Sequence, residues 1–244
     1  LRLAAALLVL GALALTGCET TAEKSARLER AANALAAHRQ AAAKALTVTT
    51  PSRFVKVLRA TLVRAAQQGG SSAVVVQVRN DSSRPLRTVP IAVMVTDAAG
   101  KTTYQNNEPG LETALVAIPA IGPHSTLAWV DDQASAGAGT RASARVGEAA
   151  TPIGGPLPAT SVKGLHLSEG GGAGPEVEGN VRNGSASALH NLVVFVTAER
   201  GGQPVAAGRA VVSELGANAS HGFTAVLVGS ARGATLRASA PSPG

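Results

Sequence analysis

The sequence predicts a mainly β chain: two tandem antiparallel β-sandwich modules, preceded by a signal segment and an alanine-rich α-helix. Three observations carry this. A phrase occurs twice, as Val78-Arg79-Asn80 and as Val181-Arg182-Asn183. Each asparagine is followed by a polar turn and then by alternating apolar residues: Val89, Ile91, Val93 and Val95 in the first copy, Leu192, Val194, Val196 and Ala198 in the second. Alternation with a period of two is the mark of a half-buried strand. Further on, Ile121-Gly122 precedes Trp129 as Leu215-Gly216 precedes Phe223, so the likeness extends through each module. Short strands, Gly- and Pro-rich turns and no helical period inside either copy point to sandwiches.

The first 17 residues read as a secretory signal: basic Arg2, an apolar run to Leu15, then small residues. The run is shorter than the ~20 apolar residues a spanning helix needs. Leu15-Thr16-Gly17-Cys18 resembles the bacterial lipobox, and that resemblance implies diacylglyceryl modification of Cys18, cleavage before it, and attachment of the chain to a bacterial membrane on its extracytoplasmic side. Cys18 is the single cysteine, so no disulfide forms within the chain.

Residues 18–51 form the next segment. From Glu19 to about Leu46 there is no Gly or Pro; Thr20 and Glu23 have capping-box spacing, and Leu28, Leu35 and Ala42 recur every seven residues. This predicts one long helix. Its stripe is narrow and mostly alanine, which suits a stalk; a weak coiled-coil dimer is the sharper reading. Thr47 to Pro51 ends it, because β-branched residues and proline oppose a helix.

Module one is expected over residues 52–147, a Pro/Gly linker over 148–159, module two over 160–240 and a tail over 241–244. Counted from the asparagines, Leu86 matches Leu189 and Val89 matches Leu192, an offset of 103 that falls to 94 by Trp129 and Phe223. Module one therefore carries nine extra residues, expected within Lys101–Glu112, at a loop tip where insertions are cheap and binding residues gather. The asparagines are expected to satisfy turn backbone. Asn80, Asn183 and Asn218 also fit a glycosylation sequon, read here as chance. Aromatics are only 2% of the chain, so Trp129 and Phe223 are expected to fill the space between sheets.

Module one resembles the FxLYD family of extracytoplasmic bacterial domains in its strand, asparagine, polar turn, leucine, alternating valines, aspartate and glycine. The eponymous motif falls on Val93-Met94-Val95-Thr96-Asp97, where Asp97 and the apolar character remain; in module two, Val196-Thr197-Ala198-Glu199-Arg200 lacks the aspartate as well. The resemblance implies an immunoglobulin-like sandwich with no established catalytic site, and it transfers no functional residues.

The net charge of +7 favours anionic partners, but the basic residues are scattered without aromatic interleaving, which argues against nucleic acid. His38, His124, His166, His190 and His221 show no metal-ligand spacing, although His190 and His221 share module two. Asp131-Asp132 is the only adjacent acidic pair, readable as a cation contact or as a solvated turn. No nucleophile elbow or phosphate loop occurs, and Gly170 to Gly174 lacks the lysine and helix such a loop needs. No catalytic residue, metal site or cofactor is expected. If Leu192, Val194 and Val196 face the core, Val193 and Phe195 point outward, a candidate interaction face for a partner or for module one; the alternatives are a covering loop or a strand buried on both sides. The expected function is that of a non-catalytic, lipid-anchored envelope adaptor whose partner is an envelope protein. The alternative is a spacer or binder of an anionic envelope polymer.

Overall fold

The structure, a computed structural model, describes residues 24–30, 32–33, 46–65, 71–108, 110–149, 155–168 and 174–244. Cys18, His38 and the signal segment lie outside the described residues, as does most of the expected stalk. Residues 24–30 and 32–33 are helical and exposed. Among the described residues no helix is long and apolar enough to cross a membrane.

Residues 40–244 form one compact unit containing two antiparallel sandwiches. Module one runs through β1 (Val55–Arg64), β2 (Ser72–Asn80), β3 (Leu86–Thr96), β4 (Thr102–Gln105), a one-turn helix α1 (Thr113–Val116), β5 (Ala117–Ile121), β6 (Thr126–Ala134) and β7 (Arg141–Val146). One sheet has the order β1-β2-β6; in the other, β3 pairs with β5, β4 and β7. Module two repeats this with β8 (Thr160–Ser168), β9 (Glu176–Asn183), β10 (Leu189–Arg200), β11 (Gln203–Leu215), β12 (Ser220–Val226), β13 (Val228–Gly229) and β14 (Thr235–Ser239), in sheets β8-β9-β12 and β13-β11-β10-β14. Both are open immunoglobulin-like sandwiches.

The spacing from Leu86 to Val89 is odd, and so is that from Leu189 to Leu192, so a regular strand would send each pair to opposite faces. All four are nevertheless buried in the sandwich cores. A one-residue break in the ladder of each copy, with the register unchanged on either side, reconciles the two facts. Thr88 and Asn191 have no partner in the strand register and take positive φ, 48° and 50°, which turns the strand locally.

The repeated asparagines are fully buried hubs. Asn80 Nδ2 donates to the carbonyls of Arg84 (2.7 Å) and Gly122 (2.9 Å), while its Oδ1 accepts from Ser82 N (3.0 Å) and Oγ (2.8 Å). Asn183 Nδ2 donates to the carbonyls of Ser187 (2.8 Å) and Gly216 (3.0 Å), and its Oδ1 accepts from Ser185 N (2.9 Å) and Oγ (2.6 Å). Each hub thus ties its own turn to the turn before β6 or β12. That explains the Asn-x-Ser pattern, and both amides are enclosed and already hydrogen-bonded.

Asp97 Oδ1 accepts the N–H groups of Ala99 and Lys101, both at 2.9 Å, and so closes the β3–β4 hairpin. Module two closes the equivalent hairpin with Gly201-Gly202, both at positive φ, a two-residue turn that needs no aspartate.

The nine extra residues of module one fall between β4 and β5, where module two has only Arg209 and Ala210 inside the continuous β11. The insert is more than a polar loop tip, because it contains α1 and buried Asn106. Asn106 substitutes for strand backbone along β3: its Oδ1 accepts from Val93 N at 2.6 Å, and its Nδ2 donates to the carbonyls of Ile91 (3.0 Å) and Leu115 (2.7 Å). The helix was not foreseen from sequence, since four residues are too few to display a period. Trp129 is fully buried and donates Nε1–H to the Ala114 carbonyl at 2.8 Å, fixing α1 over the core. In module two, Phe223 lies opposite Gly179, where an added Cβ would come within 2.9 Å of the ring.

The two modules share an interior. Val75 and Val130 pair on the face of β2 and β6 opposite to Val74, Val76 and Trp129, yet they are as buried as these. Val193, Phe195 and Ala207, which lie outside module two's own core, belong to one apolar cluster with them. With β11 packed on β1, β2 and β6, the four sheets lie face to face in a stack. Ala73-Val74-Val75-Val76 is a continuous apolar run because both of its faces are covered, whereas β9 alternates, Glu176-Val177-Glu178, because one face meets solvent.

Candidate functional site

The seam between the sandwiches brings together the groups with the most distinctive surroundings. Arg209 stands in β11 in the run Ala206-Ala207-Gly208-Arg209-Ala210, with its side chain only 5% exposed. Its Nε lies 2.8 Å from Asp132 Oδ1, its backbone N–H donates to Asp132 Oδ2 at 3.1 Å, and Nη1 lies 3.5 Å from Glu112 Oε2. A β-strand sends neighbouring side chains to opposite faces. Asp132 therefore faces the seam, while Asp131 turns into module one.

Asp131 is fully buried. Tyr104 donates its hydroxyl proton to Oδ2 at 2.6 Å, and Gln133 donates its N–H to Oδ1 at 3.0 Å. Burial pushes the Asp131 carboxyl above its ordinary range, against the pull of the Tyr104 and Gln133 hydrogen bonds and the Arg209 charge. Burial and the facing carboxylate together push the Tyr104 phenol upward, so it stays a protonated donor. The acidic pair is neither a solvated turn nor a cation contact: one member is a core hydrogen-bond acceptor, the other half of an ion pair between modules.

Two more arginines fasten the unit. Arg59 Nη2 donates to the Gly202 carbonyl in the β10–β11 turn at 2.8 Å. Buried Arg87 donates from Nε to the Pro243 carbonyl at 2.6 Å and from Nη2 to the Pro156 carbonyl at 2.9 Å, drawing linker and C-terminal tail onto module one. Part of the basic excess thus serves internal fastening.

A cleft of about 450 Å³ opens beside the seam. Thr88, Glu112, Pro119, His190, Asn191 and Val211 line it, and Pro241 and Pro243 close one side. Val193 reaches its floor, and Val211 is 49% exposed on its wall.

The sequence-nominated residues fall as follows. Val193 and Phe195 do point away from module two's core, but they are buried in the cluster shared with module one, 7% and 1% exposed, and present no free face. His190 is on the cleft, exposed His166 lies 3.3 Å from Glu178 Oε2, and His124 occupies a turn at φ 48°. No group of three or more His, Cys, Asp or Glu that could hold a metal occurs among the described residues. Sequence reasoning missed Arg209, Glu112 and Arg87, and singled out Asp132 only as half of an acidic pair, without its arginine partner. The available signal was the lone arginine within an Ala/Val strand at Arg209.

No family model and no curated protein matches the chain. Among solved structures it is similar to red sea bream transglutaminase, at a TM-score of 0.22 and 11% identity, over 76% of this chain and 29% of that one. The match thus spans under a third of that protein, and a likeness this weak carries no argument for fold or activity.

Proposed function

We propose that the chain is a non-catalytic, lipid-anchored adaptor of the bacterial envelope, tethered extracytoplasmically through Cys18 and binding an envelope protein. The observation that carries the binding reading is the cleft beside the seam, which is concave, walled by both modules and mixed in polarity. The lipobox pattern of Leu15 to Cys18 and the FxLYD-like pattern of module one support the address. Two acyl chains or more hold a protein stably where one is marginal, so attachment needs no help from the basic surface.

A second reading, a spacer or a binder of anionic polymer, draws on the seam itself. Four stacked sheets fastened by three arginines make a stiff block, and Arg141 and Arg145 stand exposed along β7.

A photo-reactive residue placed in cells at Val211, with one at Thr224 on module two's solvent face as control, separates the readings. A single dominant adduct from position 211 and none from 224 is expected of an adaptor. Diffuse adducts from both positions, released by salt, would replace it with the polymer reading. Loss of labelled-lipid incorporation in Cys18→Ser tests the anchor; retained labelling would refute it.

A further inference from the structure

We infer that the seam cleft receives a lysine or arginine side chain presented by an extended segment of a partner protein, a proposal that rests on the binding reading above. Elements of both modules, the insert and the tail converge there. The ladder breaks that the two copies share contribute Thr88 and Asn191 at positive φ, the insert contributes Glu112, and the tail contributes Pro241 and Pro243. Strained backbone gathers where a site is being shaped. A β-branched residue such as Thr88 occupies this conformation only under constraint.

Shape and charge select the occupant. At about 450 Å³ the cleft exceeds one side chain and accommodates its flanking residues. Its apolar walls, Pro119, Val211 and Pro241, suit a polymethylene stem. The Glu112 side chain is 60% exposed at the mouth, and exposed Glu214 pairs across from His190 on the same face. Arg209, the cation beside Glu112, is buried against Asp132 and out of a ligand's reach, while Arg87 is held on tail and linker carbonyls. What a ligand meets is therefore a carboxylate above an apolar slot, which matches a cationic head on an aliphatic stem. The acidic spot opposes the net charge of +7, so the recognition is local and owes nothing to the overall field.

The test is an amide NMR titration of the full chain in detergent micelles with two probes, acetyl-Pro-Lys-Val-Pro-amide and its Glu counterpart. Expected are shifts confined to Thr88, Glu112, Asn191, Val211 and their neighbours, with the Lys probe bound about tenfold tighter, as a charge-assisted hydrogen bond would give. Glu112→Gln should remove that preference, and Val211→Arg, at an exposed wall position, should abolish binding while leaving the spectrum dispersed. Equal affinity of the two probes, or no localised shift at millimolar peptide, overturns the proposal. If position 211 still cross-links one partner in cells, only the ligand class fails; if it does not, the binding reading falls too.

Discussion

Phe195→Ala tests whether the seam is a core or merely a contact. Phe195 belongs to module two by sequence and strand pairing, but it is 1% exposed and clustered with module one. Truncating a buried Phe costs ~3–5 kcal/mol, the transfer of the ring plus the cavity it leaves. In a unit of this size each kcal/mol lowers the melting temperature by about 2–4 °C, so the expected drop is roughly 6–20 °C. The single tryptophan, Trp129, reports on module one alone, and far-UV circular dichroism reports on both. If the sandwiches share one interior, the Trp129 fluorescence melt moves together with the dichroism melt, although the substitution is in the other module. Phe54→Ala, at a side chain 52% exposed, is the control and should shift the melt by about 1 °C or less. A Trp129 transition unmoved by Phe195→Ala, beside an earlier loss of half the dichroism, would refute the shared interior and leave two sandwiches on a tether.

Asn183→Ala strips partners from the Ser187 and Gly216 carbonyls and the Ser185 N–H, and should cost about 2–4 kcal/mol in urea unfolding, with Asn80→Ala similar; a loss under about 0.5 kcal/mol would deny the hub. Because the folded state raises the Asp131 pKa above the ordinary 3.8, it binds that proton more tightly than the unfolded chain does. The group's contribution to stability therefore falls as pH rises from 3.8 through the raised value, so Asp131→Asn should be at least as stable as wild type at neutral pH, with the gap narrowing in acid. A variant less stable than wild type at neutral pH, or an advantage that stays constant or widens in acid, would contradict this. Thr88→Asn, which installs the residue module two uses at the same break in the ladder, should raise stability by roughly 0.5–1 kcal/mol by relieving a β-branched side chain at positive φ; an unchanged or lowered urea midpoint would show that Thr88 is unstrained.

Much of the fold was legible because β periodicity and turn chemistry are local. The asparagine phrase marked the turn it stabilises, and the offset change from 103 to 94 located the insertion within a few residues. The seam was less legible, though it left traces. The unbroken run Ala73 to Val76 and the outward Val193 and Phe195 both signal second-face burial, but pairing them requires knowing which sheets meet. Asp131 and Asp132 show the limit most plainly. Adjacent in sequence, they point to opposite faces, and their roles come from Tyr104 and Arg209, at distances along the chain that no local pattern spans. The cleft was hidden for the same reason, since its walls come from the insert, the positive-φ residues Thr88 and Asn191 of two different modules, and the tail.

The polar outer face of β9, with Glu178, Asn180 and Arg182, has a consequence for how such a protein can evolve. Another copy of module two, gained by unequal recombination, would bring its Val193 and Phe195 against those charges, where the original pair meets Val75 and Val130. The burial that fuses the first two copies would become a desolvation penalty for a third. The outer face of β9 thus withholds from a further copy the apolar surface that Val75 and Val130 offer to Val193 and Phe195.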